Sequence, residues 1–199
     1  MQGDKVLAVE GGDDAAFFDR LLTDIGVAGV QVIPYNGRDR MPSFVRAVAR
    51  LPDFADRVTH FALTRDCDDS RLAAEQSMAS CLSRAGLPAP GSVASRGIPG
   101  SPATSVIAVP PTSDTGMLED LLYASLDGRP ITACVAEFLA CAENTDGGPG
   151  NLAKARVYAY LATRERPINA PAVSVLANAW DTNSNAFDEI KDCLRWAFA

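Results

Sequence analysis

The sequence predicts an α/β domain: a small, mostly parallel four-stranded sheet flanked by helices, followed by a C-terminal helical extension. Three observations lead there. Short apolar runs at 5–9, 30–33, 58–63 and 106–109 have the length and β-branched content of buried strands. The segments between them carry apolar residues at helical spacing. After Asp127-Gly128 the pattern is helical only. Strands that alternate with helices imply right-handed crossovers and parallel pairing. Residues 1–126 are therefore read as the α/β domain, and 127–199 as a helical extension packed on it.

Each element has a local reason. The run 5–9 ends at Gly11-Gly12, read as a tight turn, and Asp13-Asp14 then open a helix with Phe18, Leu21, Leu22 and Ile25 on one face. Gly26 closes that helix. The run 30–33 is broken by Pro34, Asn36 and Gly37. A second helix spans 41–50, with Phe44, Val45, Val48 and Leu51 on one side. The third strand runs on to Thr64-Arg65-Asp66, and a helix over 70–85 stops at Gly86. Residues 87–105, rich in Pro, Gly and Ser, read as a long loop with one short strand near Val93. The fourth strand meets Pro110-Pro111, and a helix over 116–126 follows. Helices over 131–143, 152–164 and 187–198 complete the chain.

Composition narrows function. With 199 residues, 47% hydrophobic and 22% charged, the chain suits one globular domain with a real core. No apolar run reaches membrane-spanning length, and the first residues lack the layout of a secretory signal, so a cytoplasmic location is expected. Five cysteines without a CxxC pair argue against a disulfide framework or zinc site. His60 is the sole histidine and lies inside an apolar run, where a strand residue is the simpler reading than a catalytic base. Any metal would be held mainly by oxygen, which favours Mg²⁺ or Mn²⁺. A net charge of −7 gives no basic footprint for coating nucleic acid.

Three acidic clusters remain: Glu10 with Asp13 and Asp14, Asp66 with Asp68 and Asp69, and Glu119 with Asp120. In parallel α/β sheets the functional crevice lies beyond the carboxyl ends of the strands. Glu10 and Asp66 are expected at two such ends. Asp66 and Asp68 share a side if strand geometry continues, with Cys67 facing away. Asp14 opens a helix within reach of the same strand end. Carboxylates converging on two cations suit in-line displacement at phosphorus. Capping is the plainer alternative for Asp13, Asp14, Asp68, Asp69 and Glu119. Glu10, before Gly-Gly, has no capping duty.

The string Leu7-Ala8-Val9-Glu10-Gly11-Gly12-Asp13-Asp14 resembles the first motif of Toprim domains, a strand ending in Glu-Gly. Thr64-Arg65-Asp66-Cys67-Asp68-Asp69 resembles their second, a strand ending in Asp-x-Asp. Thr115-Gly116-Met117-Leu118-Glu119-Asp120-Leu121 is similar to a later segment of small bacterial Toprim-like proteins. The resemblance spans about residues 5–126 and implies a Mg²⁺-binding acidic site. The chain is too short for topoisomerase gates and lacks the cysteines of a primase zinc module. Glu10 with Asp14 four residues on is similar to the first motif of OLD (overcoming lysogenization defect) nucleases.

That resemblance implies a metal-dependent nuclease acting on DNA or RNA. Glu10, Asp14, Asp66, Asp68 and Glu119 would hold Mg²⁺ or Mn²⁺, with Glu10, Asp66 and Lys154 catalytic. OLD-like proteins carry a fused ATPase. This chain has no Walker sequence, so a separate ATPase protein is the implied partner. A homo-oligomer is compatible with the sequence. Arg65 departs from the apolar residue usual before Asp-x-Asp, and with the acidic net charge it supports a rival: a non-catalytic Toprim-fold binding or regulatory module.

Overall fold

The computed structural model describes residues 3–89 and 102–199. The expected strand near Val93 lies outside them. Four strands form one sheet: β1 (Lys5–Val9), β2 (Val30–Pro34), β3 (His60–Asp66) and β4 (Ala103–Val109). Their order is β2-β1-β3-β4, and every neighbouring pair is parallel. Leu7 sits between Val32 on one side and Ala62 on the other.

The pleat divides the core in two. Leu7, Val9, Ala62, Ile107 and Val109 face one side of the sheet. Helix α1 (Gly12–Asp24) packs there through Phe17, Phe18, Leu21 and Leu22. So do α5 (Leu118–Ala124), α6 (Ile131–Asp146), α7 (Leu152–Ala162) and α9 (Asp188–Ala197). Val6, Ala8, Phe61, Leu63, Val106 and Ala108 face the other side. There they meet α2 (Met41–Val48), α3 (Pro52–Arg57) and α4 (Arg71–Arg84).

This topology positions a site. The chain leaves β1 over one face to reach β2, then crosses back past β1 to β3, with α4 on the opposite face. The winding direction therefore changes between β1 and β3. A crevice opens beyond the carboxyl ends of strands at such a switch point. Glu10 follows β1 and Asp66 ends β3, so both border it.

Two short helices, α3 and α8 (Pro171–Leu176), were not expected; both begin with Pro at the first helical position. β4 also begins earlier than its apolar run. Thr104 and Ser105 are buried within it, and the Thr104 hydroxyl donates to the Pro88 carbonyl at 2.6 Å. Among the described residues, no helix is long and apolar enough to cross a membrane. The five cysteines are free thiols, with Cys67, Cys81 and Cys193 buried and Cys134 and Cys141 exposed.

Candidate functional site

A cavity of about 240 Å³ opens at the switch point. Glu10, Asp13, Asp14, Asp66, Glu119 and Lys154 line it, together with Asn36, Gly37 and Pro171. Five of the six site residues expected from sequence thus border one space; Asp68 does not line it.

Each acid arrives by a different route. β1 carries the chain to Glu10, whose carbonyl accepts from the Gly37 amide at 3.0 Å. Its Oε2 is buried and has no hydrogen-bond partner. Asp14 is the third residue of α1, and its Oδ2 accepts from the Gly11 amide at 3.0 Å. This is the backward half of a capping box, so Asp14 both caps and lines the cavity. Gly11 is extended rather than turned, at φ −139°, so the expected tight turn is replaced by an N-cap. Asp66 Oδ1 accepts from the Leu118 amide at 3.1 Å, which joins β3 to the start of α5. Glu119 sits in the first turn of α5, with Lys154 Nζ 4.0 Å from its Oε1. Asn151 caps α7 by accepting from the Lys154 amide at 2.9 Å, and so sets the position of that lysine.

Asp68 corrects the Asp-x-Asp expectation. Strand geometry stops at Asp66, and Asp68 adopts a left-handed conformation at φ +51°. Its amide and carbonyl pair with Gly116 across an isolated antiparallel bridge. Its carboxylate is engaged by Arg65 at 3.5 Å and Arg38 at 3.6 Å. Period-two alternation therefore does not carry it beside Asp66. Cys67 does turn away: it is buried, and its thiol donates to the Pro110 carbonyl.

Other acids find structural duties. Asp13 accepts from the Ala172 amide at 2.8 Å and so caps α8 rather than its own helix. Asp120 reaches back to the Met117 amide at 3.0 Å. Ser70, not Asp68 or Asp69, caps α4 by accepting from Ala73. His60 begins β3, at the end of the sheet away from the cavity.

The electrostatics follow from burial first and from neighbouring charges second. Burial, then the charges of Asp14, Glu10 and Glu119, push the Asp66 carboxyl up to about 8. Burial, and next in its upward effect the charge of Glu10, raise Asp14 to about 6. Burial also raises Glu10, with Asp68 adding to it and Arg65 and Arg38 opposing. Glu119 is raised by burial and moderated by Lys154. Among the described residues, no three His, Cys, Asp or Glu side chains stand grouped as a ready metal site. The donor chemistry nevertheless fits a hard cation: oxygen ligands, excess negative charge and an unpartnered Glu10 oxygen.

Sequence reasoning missed the wall formed by Asn36 and Gly37. Asn36 and Gly37 both take positive φ, at 62° and 108°, and carry the chain from the end of β2 across the crevice mouth. The Asn-Gly pair was the available signal, since both residues tolerate the left-handed region.

No curated protein and no solved structure matches this chain. One protein-family model does, over residues 4–199. The chain belongs to the family that this model defines, described as protein of unknown function (DUF3226).

Proposed function

We propose that this protein is a Mg²⁺- or Mn²⁺-dependent nuclease that hydrolyses nucleic-acid phosphodiesters at the switch-point cavity. The observation that carries the reading is the convergence of Glu10, Asp14, Asp66 and Glu119 on one crevice with Lys154 at its edge. Burial first and the neighbouring carboxylates second hold Asp66 near 8, and a divalent cation would offset the charge these acids carry when ionised. Glu10, Asp14, Asp66 and Glu119 would hold the metal, which would polarise the phosphoryl oxygens. Asp68, paired with two arginines, is left out of that set.

The chain's own groups do the rest. Glu10, with one oxygen unpartnered, would accept a proton from the attacking water. Lys154, at the cavity wall, would offset charge that builds on the phosphoryl group. Arg38, more than half exposed, would meet a phosphate outside the crevice. The reading extends to a cytoplasmic protein that works with a separate ATPase, on the analogy with OLD-like nucleases.

The test compares wild type with Asp66→Ala on plasmid DNA, single-stranded DNA and RNA with Mg²⁺ or Mn²⁺. Metal-dependent cleavage that Asp66→Ala removes is expected; equal cleavage by both proteins would sink the site. The lack of a ready three-ligand group and the arginine-bound Asp68 favour one rival, a non-catalytic binding module. Nucleic-acid binding without cleavage, unchanged by Mn²⁺, would establish that rival.

A further inference from the structure

A second charged group sits beside the cavity. Arg65 precedes Asp66 and Arg38 follows Gly37, so each arginine adjoins a residue of the cavity lining. Both guanidinium groups meet the same carboxylate oxygen, Asp68 Oδ2, Arg65 at 3.5 Å and Arg38 at 3.6 Å. Two cations around one anion leave positive charge over. Both distances exceed the roughly 2.7–2.9 Å of a well-made charge-assisted hydrogen bond. The Arg65 side chain is only 11% exposed, and its Nε is buried with no hydrogen-bond partner among the described residues. A guanidinium is a rigid fork of N–H donors, so the pair holds donors that Asp68 leaves unused. The backbone of Asp68 is pinned to Gly116 by two 2.8 Å hydrogen bonds, while its side chain is 37% exposed. Its carboxylate can therefore leave the arginines by side-chain rotation alone. All three charges lie close enough to Glu10 to act on its carboxyl.

We propose that Arg38 and Arg65 form a seat for a backbone phosphate of the nucleic acid, next along from the one at the cavity, and that Asp68 fills this seat until substrate displaces it. The identity of the occupant rests on the nuclease reading above. A phosphodiester carries the same single negative charge as the carboxylate. Its two non-bridging oxygens let each arginine bind its own oxygen instead of sharing one. Asp68 is then a competitor of substrate and not a metal ligand, which agrees with its place outside the cavity lining.

Fluorescence anisotropy of labelled single-stranded DNA, duplex DNA and RNA in EDTA reads the seat without metal or cleavage. Asparagine suits the left-handed backbone of residue 68, so Asp68→Asn removes the charge without straining the chain. It should tighten binding about three- to tenfold, the worth of two partly exposed ion pairs. Asp69→Asn, which removes the same charge from an exposed neighbour, should do much less. Adding Arg38→Gln to Asp68→Asn should cancel the gain. It should also flatten the dependence of log K on log salt by about 0.7 for a single strand or 0.9 for a duplex, as one lost phosphate contact requires. Wild-type affinity in Asp68→Asn, an equal gain from Asp69→Asn, a salt dependence indifferent to Arg38→Gln, or no binding of any of the three nucleic acids would overturn the proposal. The same binding results without any cleavage in Mg²⁺ or Mn²⁺ would keep the phosphate seat and sink the nuclease reading instead.

Discussion

Asp66 ends β3 with one carboxylate oxygen tied to the Leu118 amide and three other acids acting on it through space. Its pKa is near 8 when folded, against an ordinary value of 3.8. Between those two values the unfolded chain loses a proton that the folded chain keeps, so the folded form loses stability as pH rises from about 4 to 8. Metal-free Asp66→Asn should keep the bond from Leu118 and remove that penalty. It should melt several degrees above wild type at pH 8 and close to it at pH 4, as thermal denaturation at the two pH values would register. Asp14, near 6, adds a smaller loss in the same direction at lower pH. Metal affinity separates the acids further. Glu10→Gln should weaken Mn²⁺ binding at least tenfold in calorimetry (about 1.4 kcal/mol), whereas Asp68→Asn should leave it nearly unchanged, because Arg38 and Arg65 already engage that carboxylate. Glu10 and Asp66 were legible from sequence because a strand end fixes where the next side chain goes. Asp68 was not, because its direction depends on a left-handed backbone that pairs with Gly116, far along the sequence.

At the scale of elements, the connection from β4 to α5 holds the crevice closed on one side. Gly116 exchanges two 2.8 Å backbone hydrogen bonds with Asp68, and the Leu118 amide two residues on binds Asp66. Gly116 takes φ +117°, and a Cβ there would lie 2.9 Å from Asp120 Oδ2 and 3.2 Å from Pro110 Cδ. Both the backbone conformation and the space require glycine. Gly116→Ala should cost about 1–3 kcal/mol, visible as a lower denaturant midpoint. It should also loosen Asp66, so Mn²⁺ affinity should fall with stability. The strands were legible because buried parallel strands are continuous apolar runs. The early part of β4 was hidden by Thr104 and Ser105, whose burial depends on contacts such as the Pro88 carbonyl. α3 and α8 were hidden because six residues give too few turns for a periodic stripe.

Over the whole molecule, the sheet face toward α1 is closed by helices from beyond residue 126. Val135, Val157, Tyr160, Leu161, Ile190 and Leu194 share one apolar cluster with Leu7, Val9, Phe17 and Ile107. Tyr160 fixes the arrangement: its hydroxyl donates to the Ala179 carbonyl at 3.0 Å, its ring packs against Trp180 at a 45° tilt, and Arg129 and Arg164 lie over its face. Lys5 in β1 also donates to the carbonyl of Phe198, close to the other end of the chain. Helical periodicity announced these later helices, but not which side of the sheet they cover, because that depends on contacts between residues more than a hundred positions apart. The cavity needs them as well, since Lys154 comes from α7 and Pro171 from α8. A chain cut after residue 126 would expose the buried side of β1 and α1 to water. Each large side chain uncovered there forfeits about 1.5–3 kcal/mol, and several together exceed the 5–15 kcal/mol that holds a typical domain folded. Residues 1–126 alone should therefore bind a hydrophobic dye such as ANS and melt without a cooperative transition, and addition of Mn²⁺ should not restore one. A sharp, dye-free melt of that fragment would show instead that the sheet and its first helices form a self-sufficient core.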